Sequence, residues 1–149
     1  MAVIKWIASG RGGNSAGVAL LTTDLNTLAN GGGVVSPLIE NDTTLDQYAD
    51  FELVVAHGAA TTADTTWDLY LVRMTDGTNY EDATNLRPPA NGFVGSFVMD
   101  NTASAQRHIV PGVLLPPRAF KVLLINRSGQ TAAASGNVLE AYFYNQQVV

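Results

Sequence analysis

The chain contains no cysteine, and this absence removes several kinds of chemistry together. Disulfides, a thiol nucleophile and a zinc ribbon are all excluded. The two histidines, His57 and His108, lie far apart in the sequence. Because a zinc site needs three or four converging ligands, we expect both histidines to be structural. The chain also lacks a G-x-S-x-G nucleophile motif, since Gly95-Ser96-Phe97 lies within a candidate strand. We therefore expect no enzymatic activity, no catalytic residue, no metal and no cofactor.

Charged side chains are scarce as well. They make up 14% of the 149 residues, with a formal net charge of −5, whereas about 25% is usual. The only lysines are Lys5 and Lys121, and the arginines are scattered singly. Nucleic-acid binding needs clustered basic residues, so we expect no nucleic-acid partner. No apolar run approaches the roughly 18 residues that cross a bilayer, and nothing in the chain directs secretion, so we expect no membrane partner.

Alternating apolar and polar residues are abundant, and they predict β-strands. In residues 48–57, Phe51, Leu53 and Val55 alternate with Asp50 and Glu52, as in a strand with one buried and one wet face. Turn residues separate the runs, and together they predict an all-β fold: an antiparallel, jelly-roll-like β-sandwich of about eight strands. The candidate strands are residues 18–22, 33–39, 48–57, 66–74, 93–99, 106–110, 119–126 and 138–144, with a short helical turn within 23–30.

The same alternation predicts the core of the sandwich. We expect the following ten side chains to be buried: Phe51, Leu53, Val55, Trp67, Leu69, Leu71, Val122, Leu124, Leu139 and Phe143. A second set of aromatic residues could either pack in the core or form a sugar-stacking platform on one face: Trp67, Tyr70, Tyr80, Tyr142, Phe143 and Tyr144. Sugar binding would require at least two of them to be exposed on one face beside Asp or Asn.

The first sixteen residues differ from the rest. Residues 2–9 can form one strand, but the glycine-rich segment 10–15 follows it, and such composition favours a linker. We predict an N-terminal arm, residues 1–16, joined to a β-sandwich domain, residues 17–149. The alternative is a first strand of the same sheet followed by a loose loop. A strand joined through glycines could add to the sheet edge of a neighbouring molecule, so the arm supplies four candidate interaction residues: Val3, Ile4, Trp6 and Ile7.

Two proline-containing loops supply further candidate interaction residues. The loop 79–91 contains Pro88 and Pro89, and the loop 111–118 contains Pro116 and Pro117. Proline fixes an extended path, so these loops could present a fixed shape to a partner, or they could simply cross between the sheets.

For three acidic or glycine-rich patterns, a structural role explains the residues better than a cation site, a catalytic pair or a phosphate-binding site. Asp76, Asn79, Glu81 and Asp82 could hold a hard cation, but their spacing does not match a calcium loop, and Asp76-Gly77 is a common turn. The pairs Asp50/Glu52 and Asp46/Asp50 could act in glycoside cleavage, although carboxylates on a solvated strand face are more common. Gly31-Gly32-Gly33 precedes a strand rather than a helix, so it cannot form a helix-based phosphate site.

Several segments together resemble a known group of proteins. The pattern spans about residues 20–146 and rests on residues 25–31, 45–53, 68–71, 76–80, 87–91, 115–117, 120–124 and 136–137. It is similar to that of small β-sandwich virion structural proteins of tailed bacteriophages, which include capsid decoration, or cement, proteins. The first sixteen residues fall outside the pattern.

The resemblance implies a role and a location rather than a catalytic site. It implies a phage capsid decoration protein that binds the assembled head and stabilises the shell, with the major capsid protein and further copies of itself as partners. A closed ring of copies at a local symmetry axis is expected because closure prevents runaway polymerisation, and a trimer is expected rather than a dimer. Such a protein would be made in the bacterial host cytoplasm and located on the capsid surface. The alternative is a carbohydrate-binding or tail-associated virion module.

Overall fold

The fold is an all-β sandwich of two antiparallel sheets, as the sequence predicts. The computed structural model describes residues 2–9 and 16–148. The predicted linker, residues 10–15, lies outside the described residues. Within them there are nine strands: β1 (Ile4–Ala8), β2 (Val18–Leu21), β3 (Gly33–Val35), β4 (Tyr48–Val55), β5 (Thr66–Arg73), β6 (Phe93–Val98), β7 (Gln106–Leu114), β8 (Phe120–Arg127) and β9 (Val138–Val148).

The strands form one five-stranded and one four-stranded sheet. Sheet A has the order β1-β9-β4-β7, and β2 also pairs with β9. Sheet B has the order β3-β8-β5-β6. The first strand therefore belongs to the same sheet as the last strand of the chain. The predicted division into arm 1–16 and body 17–149 stays a prediction.

The core lies between the sheets and consists of the inward-facing residues of each strand. All ten side chains expected there are buried, and Leu69, Trp67 and Phe51 are fully so. In β4 and β5 every second residue points into this core. The period-two pattern thus sets which face of each strand packs against the opposite sheet.

Several strand ends differ from those expected. β7 continues beyond Val110 to Leu114, although residues 111–114 were expected to belong to a loop. Pro111 and Gly112 are accommodated because β7 lies at the edge of sheet A and its register with β4 shifts at this point, as bulged edge strands allow. β3 ends at Val35, before Pro37, and the expected helical turn is a 3-10 helix over Thr23–Leu25.

The two long sides of the sandwich are different. On one side β6 and β7 meet closely, since a side chain at Gly95 would lie 2.6 Å from a methyl group of Val110. On the other side a groove of about 500 Å³ separates Val18, Ala19 and Leu20 of β2 from residues 37–40. The sandwich is therefore closed on the β6–β7 side, where the two sheets are in close contact, and open on the β2 side, where this groove separates them.

The middle of the outer face of sheet B is covered by the chain itself. Val72, Leu123 and Ile125 point outward from this sheet and are nevertheless buried, because Tyr70, Tyr80 and Ala83 pack over them. The loop 74–92 is fixed there by polar contacts: the Arg73 backbone N–H donates to Glu81 at 3.0 Å, and the Lys121 ammonium lies 4.4 Å from the centre of the Tyr80 ring. The middle of this face is thus covered, while Val35, Phe93 and Val98 toward its edges remain exposed.

Candidate binding face

The outer face of sheet A is the candidate binding face, because no described segment covers it as the loop 74–92 covers sheet B. The outward residues of β4 are Tyr48, Asp50, Glu52 and Val54, which alternate with its buried residues. The neighbouring strands add large exposed apolar side chains, namely Ile4, Trp6, Ile109, Leu114 and Val148. Several large apolar side chains exposed on one face are typical of an interaction surface.

Three aromatic rings from three strands form a cluster on this face. Tyr48 of β4 and Tyr144 of β9 lie directly opposite each other, and their rings stack at 5.7 Å with an interplanar angle of 16°. Trp6 of β1 contacts both rings edge-on, at centroid distances of 5.5 and 5.3 Å. Trp6 itself remains 61% exposed. We call these three residues the aromatic cluster.

Asp50 lies beside the aromatic cluster and is fixed by two hydrogen bonds. Its Oδ1 accepts the Tyr144 hydroxyl at 3.0 Å and the Gly112 backbone N–H at 2.7 Å. Gly112 has φ +67°, a conformation that glycine adopts readily, and lies at the register shift in β7. Burial, and after it the hydrogen bond to Asp50, raises the pKa of Tyr144 to about 12. Asp50 is therefore a positioning group for Tyr144 rather than a free acid or base.

We expect Tyr144 to titrate near pH 12 in the folded protein. Because its pKa lies above the usual value of about 10, its contribution to stability is complete below that value and is lost as the pH rises through 12. NMR of the tyrosine ring carbons, assigned with Tyr144→Phe, measures this titration. Asp50→Asn should lower the Tyr144 pKa while Tyr48→Phe should change it less. A Tyr144 signal that titrates like an exposed tyrosine in the unmodified protein would contradict the described hydrogen bond.

A row of charged and polar side chains, from Arg107 to Tyr142, crosses the same face next to the aromatic cluster. Glu52 and Glu140 lie directly opposite each other on β4 and β9. Glu52 forms an ion pair with Arg107 of β7, and Glu140 accepts the Tyr142 hydroxyl at 3.2 Å. Burial, followed by this hydrogen bond, raises the pKa of Tyr142. Each carboxylate thus has its own partner. These contacts offset the repulsion between the two like-charged side chains, which is unfavourable when they lie directly opposite each other.

The predicted interaction residues of the first strand lie at one end of this face. β1 pairs with the last five residues of β9, so that Ile4 is opposite Val148 and Ala8 is opposite Tyr144. Val3, Ile4, Trp6 and Ile7 are all exposed, as is β9 from Gln146 to Val148. We call β1 and its partner segment of β9 the terminal ribbon. Its two faces both carry exposed apolar side chains.

The four predicted proline contacts are spread over the molecule. Pro89 is buried, so its side chain is not available to a partner in this structure, and Pro88 and Pro116 are half-buried. Pro117 is exposed. None of them lies in the aromatic cluster, and their role in binding stays a prediction.

The histidines and the acidic loop have structural contacts. His57 is buried, and its Nε2 accepts the Trp67 indole N–H at 3.1 Å, while burial lowers its pKa. His108 is 3.2 Å from the Gln106 side chain. In the loop after β5, Asp76 accepts the backbone N–H groups of Thr78 and Asn79 and the Asn79 amide, and these bonds lower its pKa to about 2. This geometry is that of an Asp-capped turn.

Trp6 was predicted from the sequence as an interaction residue, whereas Tyr48 and the role of Asp50 beside Tyr144 were not. A signal for Tyr48 was present, since it occupies the same alternating face as Asp50 and Glu52. The partner of Asp50 carried no such signal, because Tyr144 and Gly112 lie 94 and 62 residues further along the chain. Of the aromatic residues considered for a platform, Trp67 and Phe143 are in the core and Tyr142 and Tyr144 lie on the open face.

Two other kinds of site are absent from the described residues. In residues 2–9 and 16–148, no group of three or more His, Cys, Asp or Glu side chains is placed to hold a metal ion. Over the same ranges no helix has the length and apolar character needed to span a membrane.

Comparisons with known proteins gave structural neighbours only. No family model matches the chain, and no curated protein sequence matches it. One similar solved structure is the CBM36-1 domain of a multidomain xylanase from the hindgut metagenome of Trinervitermes trinervoides, with 14% identity, a TM-score of 0.43, and coverage of 100% of this chain and 97% of that one. Another is a family two carbohydrate esterase from Cellvibrio japonicus, with 11% identity and a TM-score of 0.34. The match covers 98% of this chain but only 35% of the esterase chain.

Proposed function

We propose that this chain is a non-catalytic virion protein that decorates the assembled head of a tailed bacteriophage and stabilises its shell. The observation that carries the proposal is the contrast between the two outer faces of the sandwich. The loop 74–92 covers the middle of sheet B and leaves exposed apolar side chains only toward its edges, whereas sheet A leaves aromatic and aliphatic side chains exposed on three strands, β1, β7 and β9. This contrast supports a sheet A face that is covered by another molecule, and the sequence resemblance supports the major capsid protein as that molecule.

Binding across this face would stabilise the shell by mass action. A protein that binds the assembled shell but not the separate subunits shifts the equilibrium toward the shell by its binding free energy. Apolar side chains such as Leu114 and Ile109 supply area that is removed from water on docking. The carboxylates on this face already have partners within the chain, since Glu52 pairs with Arg107 and Asp50 accepts two hydrogen bonds, and this limits the desolvation cost of covering them. The expected location is therefore the outer surface of the capsid.

The environment of the candidate acids supports a non-catalytic role. Glycoside cleavage needs one free nucleophile or base and one acid with a raised pKa. Asp50 instead accepts two hydrogen bonds, and Glu52 is paired with Arg107. Asp46 is buried, and its Oδ1 accepts the Asn145 side-chain amide at 3.1 Å. These contacts are those of residues that hold strands together.

Sedimentation with heads tests the proposal. Purified protein is mixed with phage heads assembled without this chain, and the bound fraction is measured after sedimentation. We expect saturable binding, and we expect Leu114→Lys to weaken it by about tenfold or more, because the ammonium group would be forced into an apolar contact. The matched control is Leu86→Lys, since Leu86 is 86% exposed on the loop over sheet B. Absence of binding by the unmodified protein, or equal loss in both variants, would contradict the proposal.

Carbohydrate binding is the second candidate, and the aromatic cluster favours it. Sugars stack on exposed aromatic rings and use nearby carboxylates and amides for orientation. The exposed Trp6 and the half-buried Tyr144 lie on one face beside Asp50, although Trp6 was not among the aromatic residues expected to form a platform. Two variants separate the candidates: binding to bacterial surface glycans would be lost in Trp6→Ala and retained in Leu114→Lys.

A further inference from the structure

The free edge of β1 differs from the other strand edges of the sandwich. β1 is the last strand of sheet A, and no other described strand pairs with its outer edge. Its register with β9 is unbroken over five residue pairs, and it contains no proline. The other outer strands are interrupted or short: β7 has Pro111 and a register shift, β2 and β6 each have a register shift in their pairing, and β3 has three residues. Such features protect edges from pairing with another chain, and β1 lacks them.

The pairing of β1 with β9 fixes which backbone groups face the free edge. The Ser9 N–H donates to the Phe143 carbonyl at 2.9 Å. In an antiparallel ladder the direction of the N–H groups alternates along the strand. Ile7 and Lys5 therefore direct their N–H groups toward β9, and Ile4, Trp6 and Ala8 direct theirs outward. The free edge thus offers three N–H groups and three carbonyl groups at regular spacing.

We propose that β1 pairs antiparallel with β1 of a second copy of this chain, about a two-fold axis at Trp6. Trp6 then lies opposite Trp6 of the second copy, and Ile4 lies opposite Ala8 of the second copy. Both are hydrogen-bonded pairs because both use outward N–H groups. The two five-stranded sheets become one continuous sheet, and the two aromatic clusters meet on its outer face. Backbone hydrogen bonds supply affinity in this mode of association, as in other cases of strand addition.

The position of the axis follows from charge and overlap. An axis at Lys5 would place two ammonium groups directly opposite each other, which is unfavourable. The axis at Trp6 places Lys5 opposite Ile7 of the second copy instead. An axis at Ile4 would pair fewer residues of the strand. Trp6 is therefore the centre that uses most of β1 and separates the two lysines.

Charge also favours this edge as the place where two acidic chains meet. The chain carries a net charge of −5, so copies repel each other on average. The terminal ribbon holds no carboxylate: Lys5 is its single charged side chain, and residues 145–148 are Asn, Gln, Gln and Val. A two-stranded ribbon is also only marginally stable in water, and two further strands from a second copy would stabilise it.

This contact joins copies in pairs and does not depend on head binding. An isologous contact about a two-fold axis closes at two copies, so it gives a dimer in place of the expected trimer. A trimer on a capsid would require a different surface of the molecule.

The test uses the full chain alone, with sedimentation equilibrium from micromolar to millimolar concentration. We expect a mass of twice 15.8 kDa at the upper end of the series. Ala8→Pro should weaken dimerisation by about tenfold or more, because it removes an outward N–H and leaves the β1–β9 hydrogen bonds intact. Circular dichroism of the variant should match that of the unmodified protein. A protein that stays monomeric, or that forms trimers, would overturn the proposal.

Disulfide trapping tests the register separately. Because the chain has no cysteine, a single introduced cysteine reports one contact. Trp6→Cys should form a covalent dimer under mild oxidation, since opposite residues bring their Cβ atoms within about 5.5 Å. Lys5→Cys is the matched control and should remain monomeric on a denaturing gel. Equal trapping of both variants, or preferential trapping of Lys5→Cys, would exclude an axis at Trp6.

Discussion

Leu69→Ala is expected to lower the free energy of unfolding by roughly 2 to 5 kcal/mol. Leu69 is fully buried in the middle of β5, between Gly95 of β6 and Leu124 of β8. Truncation removes apolar contacts and leaves a cavity into which the closely packed sheets can collapse only partly. Urea unfolding followed by tryptophan fluorescence measures the change, because Trp67 lies in the same core.

The control for this prediction is an exposed leucine. Leu86→Ala should change stability by less than about 0.5 kcal/mol, because Leu86 loses little contact on truncation. A Leu69→Ala protein that loses less than about 1 kcal/mol would show that the position is not packed as described.

Gly95→Ala is expected to cost roughly 1 to 3 kcal/mol for the opposite reason, overpacking. A methyl group at this position would lie 2.6 Å from Cγ1 and 3.2 Å from Cγ2 of Val110. Both atoms belong to one β-branched side chain, which has little rotameric freedom to withdraw. The substitution should therefore push β6 and β7 apart along the closed side of the sandwich, and thermal or urea unfolding should report the loss.

A double-mutant cycle with Val110→Ala shows whether this contact is the cause. The second substitution removes both methyl groups that the new side chain would meet, so the double variant should lose less stability than the sum of the single changes. Gly58→Ala is the matched control, since its nearest neighbour would be 3.8 Å away. Strict additivity of Gly95→Ala and Val110→Ala would contradict the close approach of β6 and β7.

The sequence predicted the sandwich well because alternation reports burial directly. β4 and β5 occur almost where the pattern places them, and all ten expected core residues are buried. A strand with one buried face needs an apolar residue at every second position, whatever its neighbours are. This information is local, so a single sequence contains it.

The candidate binding face could not be predicted in the same way, because it depends on pairing between distant segments. Nothing near Trp6 shows that it lies against Tyr48 and Tyr144. The extension of β7 past Pro111 was missed because proline and glycine end most strands, yet an edge position allows both. The extension of β9 to Val148 was missed because residues 145–148 do not alternate; β1 holds them in the sheet by hydrogen bonds from its backbone.

The antiparallel pairing of β1 with β9 also determines how the fold would respond to mechanical load. Ile4 lies opposite Val148, so the two ends of the described chain leave the body at the same corner. A force that pulls these ends apart would break the β1–β9 hydrogen bonds one after another, as in unzipping, rather than load them all at once in shear. The ribbon would detach at low force, whereas the central strands β4 and β8, each paired on both edges, would keep the remaining sandwich intact.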